Sequence, residues 1–140
     1  MCEILFMQKM NGTLSSQELK ELAKQGIEAS FTNNNAWGAF NELGKTIRCS
    51  TKLAEKHIKK FSNYFEGSKQ VVLHLRLATS GDRKLAHPFE QEGFLLCHNG
   101  IVNSEEFEDS EIDSKEMLRL IAESQEETTV AKIKEALKEI

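Results

Sequence analysis

The stretch VVLHLRLA, residues 71–78, constrains this chain more than any other. Its β-branched, alternating character specifies a strand, yet Arg76 stands in the middle of otherwise apolar neighbours. Burying a guanidinium is costly unless a carboxylate pairs with it. A fold built around this strand must therefore bring an anion to Arg76.

The other elements arrange themselves around that strand. Cys2-Glu3-Ile4-Leu5-Phe6-Met7 predicts a first strand. Ser15 with Glu18 three residues on is a capping box, opening a helix with Leu19, Leu22 and Ala23 on one face. After the polar Thr32-Asn33-Asn34-Asn35, AWGAF and KTIRCS predict two short strands joined by a turn at Glu42-Leu43-Gly44. Leu53, Ile58, Phe61 and Phe65 predict a helix from Thr51, and GFLLCHNG predicts another strand. Two helices close the chain, SKEMLRLIAE and TTVAKIKEALKEI; the second carries Val130, Ile133, Leu137 and Ile140 on one stripe. With 140 residues, no repeat, no linker and a single proline, Pro88, residues 1–140 form one mixed α/β unit.

Charge and composition exclude several classes. A net charge of −4, with lysines dispersed among glutamates, argues against nucleic acid. No apolar run approaches the roughly 18 residues of a membrane span. The first ten residues include Glu3 and no small-residue cleavage site, so they do not read as a secretion signal. Three cysteines without paired spacing point to a reducing compartment, the cytoplasm. Gly44-Lys45-Thr46 is not a phosphate-binding loop, because Ala39 occupies the position of the required earlier glycine. His74, His87 and Cys97-His98 lack zinc-site spacing, so separate structural roles and no metal are expected. Cys49 and Cys97 are expected as small buried hydrophobes.

Cys2 is different. Directly behind Met1 it is poorly placed to pack, but removal of Met1 would give it both a thiol and the chain's α-amino group. A thiol with pKa ~8.5 needs a base, and an α-amine titrating near ~7.7–8.0 can serve as one.

Cys2 heads four phrases in fixed order. It is followed by NNNAWGAF, LHLRLATSG with AHPF, and LCHNGIVNS, after which Asp113-Ser114 stands at the mouth of a helix. Over essentially the whole chain this set resembles the class II glutamine amidotransferase domain, an N-terminal-nucleophile hydrolase. The likeness is to the branch beginning Met-Cys and carrying an Asp-Gly-Trp-Gly phrase. The resemblance implies an α+β fold, a four-layer α-β-β-α sandwich shortened on its C-terminal side, with Met1 removed.

It also implies the site. Cys2 is the nucleophile, and Asn99 with Gly100 forms the oxyanion hole, a side-chain NH2 beside a backbone N–H. HNG by itself reads equally as a hairpin turn, and both readings can hold. Arg76 takes the substrate α-carboxylate with Thr79 as neighbour, and Asp113 takes the α-ammonium. From the residues alone Asp113 reads as a helix N-cap. Four positions depart from the family pattern. Leu77 replaces a tryptophan and Ser80 a histidine, while Asn35 and Ala36 replace Asp-Gly. The first pair alters the expected lid over the substrate, the second the local turn.

The implied activity releases glutamate and ammonia from glutamine through a Cys2 thioester, without cofactor, beside a synthase partner that consumes the ammonia. One alternative keeps the chemistry but takes γ-glutamyl compounds. Another is a catalytically silent module that binds a γ-glutamyl group or a protein. The shortened sheet and the apolar stripe of the last helix predict self-association into a homo-oligomer.

Overall fold

The computed structural model describes residues 2–78, 85–99 and 113–138. Four strands, β1 (Glu3–Gln8), β2 (Ala36–Asn41), β3 (Thr46–Cys49) and β4 (Gln70–Arg76), form an antiparallel sheet ordered β1-β4-β2-β3. The arginine-bearing strand is thus internal, pairing Leu75 with Glu3 on one side and with Trp37 on the other. Antiparallel pairing puts directly opposite side chains on the same face. One face therefore carries Trp37, Ala39, Leu73 and Leu75, and the other carries Gly38, His74 and Arg76.

Helices α1 (Ser16–Ala29) and α2 (Ile58–Phe65) cover the first face. The predicted capping box is present: Glu18 N–H donates to Ser15 Oγ and Ser15 N–H donates to the Glu18 carboxylate, each at 3.1 Å. Leu19, Leu22 and Ala23 then meet Phe61, Phe65, Trp37, Leu73 and Leu75 in one core. Each large side chain fully buried there contributes about 1.5–3 kcal/mol. The second predicted helix begins later than Thr51. A 3-10 turn at Glu55–His57 leads into α2, and Ala54 N–H donates to His57 Nδ1 at 3.0 Å. The histidine ring, rather than a Ser or Thr cap, sets that start.

A short hairpin, β5 (Phe89–Gln91) and β6 (Phe94–Leu96), is joined to the second face through the residues that flank it, His87, Pro88 and His98. Contact is closest at Gly38, where a Cβ would stand 1.5 Å from the His87 carbonyl oxygen. Arg48 Nε also donates to the Pro88 carbonyl at 2.6 Å. The predicted strand through HNG ends at Leu96, since His98 N–H turns to a side chain, His87 Nδ1, at 3.3 Å. On its outer side Phe89, Phe94 and Leu96 pack with Leu118 of α3 (Asp113–Glu123). Contacts thus run from the α1–α2 pair to the sheet, from the sheet to the segment leading into the hairpin, and from the hairpin to α3, an α+β arrangement.

Helix α4 (Thr129–Lys138) lies against α3 and buries Ala136. Its predicted apolar stripe is not buried: Val130, Ile133 and Leu137 are exposed, and Ile140 lies outside the described residues. Ile4 and Phe6 of β1 are exposed too, on the sheet face that the hairpin covers further along.

Candidate active site

Cys2 immediately precedes β1, and Arg76 ends the neighbouring β4. The two meet at residue 77, where Cys2 Sγ donates to the Leu77 carbonyl at 3.5 Å. Arg76 is buried, 4% exposed, and its Nη1 donates to the Leu85 carbonyl at the start of the hairpin segment. On the other side of this strand end stands Asn35. Its backbone N–H donates to the Arg76 carbonyl at 3.0 Å, and its Oδ1 accepts from Ala78 N–H at 2.8 Å. The Cys2 sulfur and the Asn35 side chain thus bond the backbone of the two residues that follow Arg76, while its guanidinium reaches the Leu85 carbonyl.

A histidine cluster joins this strand end to the hairpin. The His74 and His87 rings stack with centroids 4.0 Å apart. His74 Nε2 donates to the His98 carbonyl at 3.1 Å, which leaves its buried Nδ1 as an acceptor without a partner among the described residues. Burial is the largest cause of a lowered pKa at both rings, to about 4 for His74 and about 2 for His87. For His87 the neighbouring His74, Arg76 and His98 add to the effect. Both rings are neutral at pH 7 and work as packing and hydrogen-bonding groups, not as cations.

His98 carries the connection onward. Its Nδ1 lies 3.0 Å from Ser114 Oγ in the first turn of α3. His98 and Ser114 are sequence neighbours of Asn99 and Asp113, so this bond draws those two residues into one locality. Asn99 is exposed. Asp113 begins α3 and its Oδ1 accepts from Ser114 N–H at 2.8 Å, so the helix-start role read from the residues is present. Of the six residues picked from the sequence, Cys2 and Arg76 meet at Leu77, and Asn99 and Asp113 flank a hydrogen-bonded pair. Thr79 and Gly100 lie outside the described residues, as does Ser80.

Three histidines expected to have separate roles instead form one packed group. No group of three His, Cys, Asp or Glu among the described residues is placed to hold a metal. The three cysteines, all free thiols, differ in setting. Burial pushes the Cys97 thiol up to about 12, which makes it inert near pH 7. Cys49 is partly buried against the core, with Thr51 Oγ1 at 3.2 Å and His57 Nε2 at 3.9 Å. Sequence reasoning missed Asn35 as a structural clamp; a short polar residue just before a strand was the available signal. Alongside the site, a cleft of about 710 Å³ opens between Arg48, Ser50, Leu85, Phe89 and Lys115.

No protein-family model, curated protein or solved structure matches this chain. No helix among the described residues is long and apolar enough to cross a membrane.

Proposed function

We propose that this protein is an amidohydrolase of the N-terminal-nucleophile type, cleaving the side-chain amide of glutamine through a thioester on Cys2. The observation that carries the reading is the meeting of the Cys2 thiol with the peptide next to buried Arg76. A second link, His98 to Ser114, draws Asn99 and Asp113 together on the opposing layer. The order of contacts, helices to sheet to hairpin to helix, supports a four-layer α-β-β-α sandwich.

In this mechanism Met1 is removed and the Cys2 α-amine takes the thiol proton as sulfur attacks the amide carbon. Asn99 and the Gly100 N–H hold the oxyanion while charge develops. The tetrahedral adduct collapses, the C–N bond breaks, and the protonated amine returns its proton to the leaving ammonia. Water then adds to the thioester, the C–S bond breaks, and glutamate leaves with the thiol restored. Arg76 engages the α-carboxylate with Thr79 beside it, and Asp113 engages the α-ammonium. A synthase that consumes ammonia is the corresponding partner, and three free thiols suit a cytoplasmic setting.

A second reading keeps the chemistry and enlarges the leaving group. Leu85, whose carbonyl receives Arg76, also lines the 710 Å³ cleft, which offers room for a γ-glutamyl compound.

The test compares protein carrying a free Cys2 amine with a form retaining one extra N-terminal residue, intact mass reporting each terminus. Glutamate release from glutamine and from γ-glutamyl amides is measured for both. Turnover is expected in the first form only, and Cys2→Ser should abolish most of it. Equal rates in the two forms would refute the mechanism.

A further inference from the structure

The geometry points to Asn35 as a positioning residue that fixes the Cys2 sulfur through a single intervening peptide, an inference that rests on the amidohydrolase reading. A trans peptide directs its C=O and its N–H in opposite directions. The peptide joining Leu77 to Ala78 uses both ends. Its carbonyl accepts from Cys2 Sγ at 3.5 Å, and its N–H donates to Asn35 Oδ1 at 2.8 Å. The chain is continuous, from the asparagine oxygen through one amide plane to the nucleophile.

Two features make this more than local turn geometry. First, Asn35 also donates its own backbone N–H to the Arg76 carbonyl at 3.0 Å, so it grips both sides of residue 77. Ala36 then pairs with Arg76 as β2 begins, which fixes the asparagine relative to the arginine strand. Second, hydrogen bonds in series polarise one another. An oxygen on the Ala78 N–H makes the Leu77 carbonyl a better acceptor for the thiol. Without it the 77–78 peptide is free to rotate, and the sulfur loses the group that aims it.

The chemistry needed at position 35 is an acceptor oxygen, not an amide. Aspartate supplies one in the same place; leucine keeps the branched shape without it. Asn35→Leu is therefore expected to lower kcat for glutamine by about ten- to hundredfold, the range for a displaced reacting group, with KM little changed. Asn35→Asp should stay within a few-fold of the unmodified protein. Independent of turnover, the alkylation rates of Cys2 and Cys49 by iodoacetamide are compared by peptide mass spectrometry. In Asn35→Leu the freed Cys2 thiol should gain about two- to tenfold on Cys49, the effect of one lost hydrogen bond. General loosening would speed both cysteines alike.

An unchanged Cys2-to-Cys49 ratio in Asn35→Leu, or an Asn35→Asp variant as impaired as Asn35→Leu, overturns the assignment. If Asn35→Leu does not fold, amide hydrogen exchange in the unmodified protein decides. An Ala78 N–H protected from exchange supports the clamp, and one exchanging like an unstructured peptide overturns it. Absence of glutaminase activity in the unmodified protein would sink the amidohydrolase reading alone, because alkylation and exchange still report on Asn35.

Discussion

Lowering the pH from 7 to 5 should destabilise this protein strongly, and the stacked histidines set the size of the effect. Burial holds His74 at about 4 and His87 at about 2, against 6.5 for an exposed imidazole. A base whose pKa is depressed by folding binds fewer protons folded than unfolded between those values. Its contribution to stability is complete above about pH 6.5 and is lost as pH falls toward the folded pKa. At pH 5 the unfolded chain holds nearly one proton on each imidazole, and the folded protein holds almost none on either. That difference costs about 2 kcal/mol per ring, or about 4 kcal/mol for the pair. A typical domain has only about 5–15 kcal/mol in total. His57, also lowered by burial and by Lys56, acts in the same direction. The lowered carboxyls of Glu18 and Glu42 titrate below this window and do not offset it.

Urea unfolding at pH 7, 6 and 5, followed by tryptophan fluorescence, measures the effect; Trp37, the sole tryptophan, sits in the core. The midpoint should fall steadily across this range. A loss under about 1 kcal/mol between pH 7 and 5 would refute the reasoning, given the linkage above. So would a proton NMR titration in which either buried ring ionises with a midpoint near 6.5.

Other expectations follow from the same contacts. Gly38→Ala pushes a methyl group to 1.5 Å from the His87 carbonyl, so it should cost about 3 kcal/mol or more in the urea assay. A near-neutral result would mean that the hairpin does not rest there. On the amidohydrolase reading, Asn99→Ala should lower kcat by about 10²–10³-fold with KM unchanged, as loss of one oxyanion donor would. Arg76→Lys should instead raise KM, because an ammonium cannot reproduce a bidentate fork. If the two effects were exchanged, the roles assigned to these residues would be wrong.

What was legible in the sequence was what neighbours along the chain determine. Ser15 and Glu18 are three residues apart and close on each other as read. Asn41 organises the turn at Glu42-Leu43-Gly44 by accepting from Leu43 N–H and Lys45 N–H. The start of α2 was misplaced because a histidine supplies the acceptor at its entrance, outside the usual cap chemistry. The histidine cluster was not legible: His74, His87 and His98 lie on separate segments, and strand patterns do not report which side chains meet across layers. The resemblance selected Cys2, Arg76, Asn99 and Asp113 but gave no contacts among them. Gly38 shows the same limit, since its lack of a side chain matters only once the His87 carbonyl arrives. The stripe on α4 was read correctly as apolar, yet α4 rests on α3 with Ala136 inward and leaves Val130 and Leu137 exposed.

The candidate site spans two layers with different physical support. The sheet layer, carrying Cys2 and Arg76, is backed by the apolar core of α1 and α2. The opposing layer, carrying Asn99 and Asp113, rests on the sheet through Gly38, the His74–His87 stack, and the bonds from Arg48 to the Pro88 carbonyl and from Arg76 to the Leu85 carbonyl. Local openings follow the weaker contacts and need not await global unfolding. Protonating the stacked rings is therefore expected to lift Asn99 and Asp113 from Cys2 before it exposes Trp37. On the amidohydrolase reading, turnover should fail at a higher pH than fluorescence-detected unfolding, and Gly38→Ala should move the two transitions further apart. Coincident transitions would mean that hairpin and sheet separate only when the whole molecule unfolds, and that the two-layer division has no energetic reality.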